Sequence, residues 1–398
     1  MATLPLLPAD AAARLLLGAQ GLLADPGRRA TRASVRKEVE TLGFVQLDSI
    51  VTVARAHDLI LRTRLSGYQP AQLQALLETE RSLFEHWTHD ASAIPVAHYP
   101  HWRPRFREDA ARLRAQAWWS HHFRGTEAEA VVAHVRDRIR EEGPLMSADF
   151  DHPEKRGPWW GWKPQKAALD YLWRSGVLAV RGRRNFHKVY DLAERVHPEA
   201  HARPEPEAEA HEAWAFGEAA PRLVVFTAAE LAGFWDALPL ARARAWCEDE
   251  ARAGRLVRVQ VAEALGGRPQ AAFALPDWEA RLRRLPEAPG ETRLLAPFDP
   301  VLRDRARALR RFGFDYRFEA FVPEPQRKYG YYVLPILEGT RFTGRLDPKF
   351  HRDRGVLEIR GLWWEPGVKP TKARNRALGA AVEALATWLG ATEVEGLP

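Results

Sequence analysis

A chain of 398 residues that is 46% hydrophobic and 28% charged is long enough for more than one core and too apolar for a disordered protein. Its 59 Lys and Arg outnumber its 52 Asp and Glu, a net charge of +7 that favours a polyanionic partner, although arginine richness also follows from genomic base bias. The single cysteine, Cys247, excludes a disulfide framework and a multi-cysteine zinc site and fits a reducing cytoplasm.

From the beginning of the chain, "PADAAARLLLGAQGLL" reads as an amphipathic helix with Asp10 as its cap. The charge-poor start, interrupted by Asp10 and Arg14, is unlike a signal peptide, and no apolar run reaches the length of a membrane span. Next, "VRKEVETLGFVQLDSI" reads as helix, glycine, strand. In an extended run Gln46 and Asp48 share one face, so an amide and a carboxylate converge. The same alternation also describes the solvent side of an ordinary amphipathic strand.

The stretch "LFEHWTHDASAIP" gathers His86, Thr88, His89 and Asp90. On a helix His86 and His89 would share a face and, with Asp90, could hold a metal. The plainer reading is a buried polar cluster behind the strand that carries Asp48. Further on, "KRGPWWGWKPQKAALDYLW" interleaves Trp159, Trp160 and Trp162 with Lys163 and Lys166, a pattern suited to stacking on bases and meeting phosphates, or to helix packing with a basic edge.

The helix–glycine–strand pattern recurs in "AALDYLWRSGVLAVRGRRNFHKVYDL" and in "ARAWCEDEARAGRLVRVQVAEALGGRPQAAFAL". Gly43, Gly176 and Gly254 fall where a left-handed helix cap is needed. In the second and third copies another strand follows, with turns expected at Gly182–Asn185 and at Gly266 and Gly267. A helix and a two-stranded hairpin form the back half of a winged helix. Arg181, Arg183, Arg184 and Lys188 on the second hairpin are candidates for phosphate contact, because a hairpin tip offers few packing reasons for such charge. The segment "HPEAHARPEPEAEAHEAW" reads as an exposed linker.

In the last quarter, "FDYRFEAFVPE", "KYGYYVLPILEG", "RFTGRLDPKF" and "GVLEIRGLWWEPG" read as strands and "TKARNRALGAAVEALATWLG" as a covering helix. Arg327 and Lys328 sit at a turn there and could meet DNA, while "RDRARALRRFGFDYR" reads as a solvated helix face with Asp304 partnering arginines. The expected fold is α+β: tandem winged-helix (helix-turn-helix) units followed by a C-terminal antiparallel β-barrel-like domain. Its expected divisions are 1–122, 123–205, 206–292 and 293–398.

Taken together, "GFVQLDSI", "LFEHWTHDASAIP", "GWKPQKAALDYLWRSGVLAVRGRRNFHKVYDLAERV" and "LLAPFDPVLRDRARALRRFGFDYRFEAFVPEPQRKYGYYVLPIL" resemble the AlkZ/YcaQ-like family of bacterial winged-helix DNA glycosylases. Gln46, Leu47 and Asp48 match the family's catalytic Q-Φ-D form, that of its YcaQ-like branch. The resemblance implies a monofunctional glycosylase that excises N7-alkylpurines and unhooks interstrand crosslinks. Gln46 would position and Asp48 activate the water, with His86, Thr88 and His89 supporting or touching the substrate. It also implies a monomer acting on double-stranded DNA in the cytoplasm, associated with the nucleoid, with no cofactor, metal or membrane partner. The rival readings are a winged-helix regulator without catalysis and a metal-dependent hydrolase built on His86, His89 and Asp90.

Overall fold

The computed structural model describes residues 4–123, 127–150 and 163–397; Trp159, Trp160 and Trp162 lie outside them. The chain divides into two compact units, Met1–Pro70 with Ala215–Pro398 and Ala71–Trp214. No helix among the described residues is long and apolar enough to cross a membrane.

The first unit is mixed α+β. Its helix Ala9–Ala19 forms as expected, but Pro8 occupies the cap position. Asp10 sits inside the first turn, where its carboxylate accepts the Ala11 N–H at 2.9 Å and faces the positive end of the helix dipole. Helix Arg32–Leu42 begins at Thr31, which exchanges hydrogen bonds with Ser34 in a capping box. The helix stops at Gly43, where φ is 86°, and Gly176 and Gly254 take 74° and 73° at the corresponding places, the conformation that only glycine adopts freely. A side chain at Gly43 would also press a Cβ to 2.9 Å from the Trp235 ring.

Leu6–Leu7 runs parallel to Val257–Val261, which pairs antiparallel with Gln270–Ala274 and through it with Val225–Phe226. This four-stranded sheet buries Leu7, Val259, Val261 and Ala274 against Ala12 and Leu15 of the first helix. A second sheet of five strands, Thr292–Leu294, Leu334–Glu338, Arg341–His351, Val356–Trp364 and Glu393–Glu395, curls into a half-barrel. Register slips at Ile336/Leu337 and at Asp347/Pro348 break its regularity, and the second falls where a proline cannot donate to the ladder. Helix Lys372–Leu389 covers it with Leu378, Val382 and Leu385 buried.

Three expectations for this part need correction. "FDYRFEAFVPE" forms no strand; Phe314, Tyr316 and Phe318 are buried in strand-like alternation, yet the Tyr316 hydroxyl, donating to the Val333 carbonyl at 2.9 Å, secures the run by a side chain instead of a ladder. The final strand pairs parallel with Val356–Trp364, so the sheet is not purely antiparallel. In helix Arg305–Phe312 Asp304 caps the Arg307 N–H at 2.8 Å, and Arg307 and Arg311 are buried rather than solvated.

Several side chains fix residues 40–53 against the rest of this unit. Arg222 donates to the carbonyls of Glu40 at 2.7 Å and Thr41 at 3.1 Å. Arg352 donates to those of Val51 at 2.9 Å and Val53 at 2.5 Å, and the Phe350 N–H donates to Thr52 at 3.0 Å. The Gln46–Asp48 stretch is therefore held at both ends.

The second unit packs helices, including Ala128–Glu142 and Pro164–Arg174, around Val135, Ile139, Leu169, Leu172 and Trp173. The hairpin Leu178–Arg184/His187–Leu192 gains a third strand, Leu145–Met146. It turns at Asn185 and Phe186, with φ of 48° and 67°, so the expected turn at Gly182 is displaced. Gly182 instead lies at a register slip next to Val180. Only His197 and residues 203–207 of the expected linker lie between helices. His197 and His211 on either side are buried, and His101 stacks on the Trp214 ring at 4.3 Å.

Candidate active site and DNA-facing residues

In the first unit the regular strand is short, Val45–Gln46, so strand alternation does not carry through to Asp48. Val45 and Leu47 are buried and Gln46 and Asp48 half-buried. Beyond the strand the Asp48 Oδ1 accepts the Ile50 N–H at 2.7 Å, an Asx turn that bends the chain and fixes the carboxylate. Gln46 lines a crevice with Phe44, Phe298, Pro300, Arg303 and Arg307. The Arg303 guanidinium lies over the Phe44 ring at 4.6 Å and donates to the Phe234 carbonyl at 3.1 Å; burial pulls its pKa down to about 9.

Two neighbours of this stretch escaped sequence reading. Tyr332 is wholly buried, and its hydroxyl has no hydrogen-bond partner among the described residues. Burial first, and then the negative charge of Asp48, hold that hydroxyl well above the ordinary phenol range, so it stays neutral. Asp58, on helix Ala56–Arg62, accepts the Tyr68 hydroxyl at 2.9 Å. Its burial raises its pKa from 3.8 to about 6, against the opposing pull of Tyr68 and Arg55. The only signal for it was a carboxylate beside His57 in the mostly apolar run "AHDLIL".

Because Asp58 binds its proton more tightly when folded, its stabilising effect is complete below pH 3.8 and lost as pH rises through about 6. Relative to Asp58→Asn, the protein is expected to lose about 3 kcal/mol of unfolding free energy across that interval. Urea titrations of both proteins at pH 4, 5, 6 and 7 measure it; parallel pH profiles would show that Asp58 is not protonated in the fold.

In the second unit His86 stands on strand Leu83–Trp87, while Thr88, His89 and Asp90 make the turn into Ala91–Pro95. No helix joins His86 to His89. The His86 Nε2–H donates to the Trp173 carbonyl at 2.9 Å and the ring packs on Phe106 at 4.6 Å. Burial pushes its pKa down to about 3, leaving it neutral. Thr88 shares a 2.8 Å hydrogen bond with Ser92, and His89 is exposed. Among the described residues no group of three or more His, Cys, Asp or Glu is placed to hold a metal ion.

The basic hairpin does have packing reasons for its charge. Arg183 grips the buried Glu85 with two hydrogen bonds of 2.7 and 2.9 Å. Lys188 lies 3.5 Å from the same carboxylate and 3.1 Å over the Trp173 ring. Arg181 approaches Asp191 at 3.4 Å. Arg184 is exposed and makes no ion pair among the described residues, and Lys163 is exposed just before helix Pro164–Arg174. In the first unit Arg327 donates to the Val322 carbonyl at 2.9 Å, and Lys328 is exposed.

The sequence profile of the AlkZ-like DNA glycosylases matches residues 39–388, a span that contains Gln46 and Asp48. The chain belongs to the AlkZ-like DNA glycosylase family. Its fold is similar to that of the Streptomyces sahachiroi DNA glycosylase AlkZ, with a TM-score of 0.63 over 97% of each chain at 15% sequence identity.

For an AlkZ-like glycosylase, the spare cation and the committed one should behave differently. Arg184→Ala is expected to weaken lesion and undamaged duplex alike by several-fold, to lower the salt slope of binding by about 1, and to leave stability unchanged. Arg183→Ala, which leaves Glu85 with only Lys188, is expected to cost about 2 to 3 kcal/mol of stability. Anisotropy titrations in graded salt and thermal melts separate the two effects; equal behaviour of the variants would show that the Glu85 pairing does not decide their roles.

Proposed function

We propose that this AlkZ-like glycosylase hydrolyses the N-glycosidic bond of N7-alkylated purines in duplex DNA and unhooks interstrand crosslinks formed through such adducts. The observation that supports this most is the setting of Gln46–Asp48 in a family of DNA glycosylases: a half-buried amide and carboxylate on a backbone stretch tied down at both ends. Alkylation at N7 makes the base cationic, so it departs as a neutral purine with no separate acid. As the bond to C1′ loosens, Asp48 stabilises the oxocarbenium-like sugar and takes a proton from the attacking water, which Gln46 orients. The products are the free base and an abasic site. The motif carries no amine to form a Schiff base, so strand cleavage is not part of the reaction.

The helix–glycine–hairpin segments that include Pro164–Arg174 and Leu240–Arg252 serve in this reading as winged helices on the duplex, with Arg184, Arg181, Lys163 and Lys328 toward phosphate. The test uses matched duplexes carrying N7-methylguanine, a nitrogen-mustard crosslink, 8-oxoguanine or uracil, with released bases identified by mass spectrometry. Release should follow the positive charge of the lesion, so the first two substrates react and the neutral bases persist. Tight binding with no base release would mark a DNA-binding protein without catalysis. Release of the neutral bases alone would overturn the mechanism.

A further inference from the structure

Phe321 is 86% exposed, the most exposed large apolar side chain among the described residues. Single exposed apolar residues are ordinary, but this one stands on a loop built to hold it out. At the loop's base the buried Glu319 carboxylate accepts the N–H groups of Lys328, Tyr329 and Gly330 at 3.1, 2.8 and 3.3 Å. Within it the Val322 N–H donates to the Glu319 carbonyl at 3.0 Å and Arg327 clasps the Val322 carbonyl. Pro323 and Pro325 stiffen what remains. A loose loop would fold such a ring onto the nearest apolar surface; this one keeps it in water.

Its neighbourhood leads to the candidate site. Phe321 meets Phe318 edge to face at 6.1 Å, and Phe318 in turn meets Phe298 at 4.8 Å and Tyr332 at 5.8 Å. Phe298 lines the Gln46 crevice, and Tyr332 feels the charge of Asp48. The exposed ring is thus two ring contacts from Phe298, which shares the crevice of Gln46, and from Tyr332, which feels Asp48. Arg317 and Lys328 are exposed on the same loop, with Asp315 and Glu324 the opposing charges.

We infer that Phe321 is a wedge that enters the base stack of duplex DNA beside the lesion, with Arg317 and Lys328 meeting the flanking phosphates. A rigid aromatic ring unstacks a base step without the entropy loss of ordering a loop, and its gain comes from stacking against the exposed base face. Joined through Phe318 to the residues that border Gln46 and Asp48, it opens the duplex where the glycosidic bond is to be reached. The inference rests on the glycosylase reading for its location, and its test does not depend on turnover.

The full-length protein is titrated into a duplex carrying 2-aminopurine beside an N7-methylguanine whose 2′-fluorinated sugar resists hydrolysis, since 2-aminopurine brightens when it loses its stacking partner. Wild type and Phe321→Trp should raise the fluorescence on binding. Phe321→Ala should abolish the rise and weaken lesion-duplex affinity by roughly 10- to 100-fold, with an unchanged melting temperature because the side chain packs on little. Undiminished fluorescence and affinity in Phe321→Ala would overturn the wedge, as would sedimentation showing a dimer that Phe321→Ala splits. If wild type brightens the probe through Phe321 but releases no base from the unfluorinated duplex, the glycosylase reading fails and the wedge stands; base release with a Phe321-independent signal has the opposite meaning.

Discussion

Replacing Asp48 with asparagine is expected to lower the single-turnover release of N7-methylguanine by roughly a thousandfold while leaving duplex affinity within about twofold of wild type. The Asx turn makes this substitution informative. The Asp48 Oδ1 already accepts the Ile50 N–H at 2.7 Å, and an asparagine oxygen can keep that bond, so the backbone of the motif stays in place while the negative charge and the proton acceptor disappear. Asp48→Ala removes the turn as well and adds a stability loss of about 1 kcal/mol, so the asparagine variant isolates the chemistry. Gln46→Ala, which deletes only orientation of the water, should slow release by roughly tenfold to a hundredfold. Alkaline cleavage of an end-labelled duplex gives the rates and anisotropy the affinities. An Asp48→Asn protein that releases base at the wild-type rate would remove Asp48 from the mechanism.

What the sequence made legible was local. Three glycines were read as left-handed helix ends, and Gly43, Gly176 and Gly254 take that conformation because the requirement belongs to the turn itself. Burial along Phe314–Phe318 was legible too, but not its lack of a ladder: alternation reports which side chains face the core and is silent on whether a backbone neighbour exists. At the motif the same limit applied, since the strand ends at Gln46 and an Asx turn takes over at Asp48. The packing partners of the basic hairpin were not legible for a longer-range reason. Glu85, which holds Arg183 and Lys188, lies about a hundred residues earlier in the chain, and nothing local announces that pairing. Tyr332 and Asp58 were missed likewise, because their interest arises from burial and from charges brought close by the fold.

The same long-range logic identifies the substitution expected to damage stability most. Arg64 and Asp299 are both wholly buried and joined by hydrogen bonds of 2.7 and 3.1 Å, and Arg64 also donates to the carbonyls of Gln20 and Ile60. The pair links the first seventy residues of the unit to its C-terminal stretch. Asp299 further caps the next helix through the Val301 N–H at 3.2 Å, directly before Pro300 of the Gln46 crevice. Removing Asp299 leaves the Arg64 guanidinium with only the looser pairing to Glu38 at 3.7 Å, where solvent cannot reach it and arginine does not readily give up its proton. Asp299→Ala is therefore expected to cost about 3 to 5 kcal/mol, a fall of roughly 10 °C in melting temperature for a unit of this size. Base release should fall further than the folded fraction, since the cap that sets Pro300 is lost. Replacing both residues by apolar ones, Arg64→Met with Asp299→Leu, should restore much of the melting temperature but not the cap or the activity. Calorimetry on Arg64→Met, Asp299→Leu and the double variant gives the coupling energy, and additive losses with no recovery in the double variant would show that the buried pair is not what holds the two segments together.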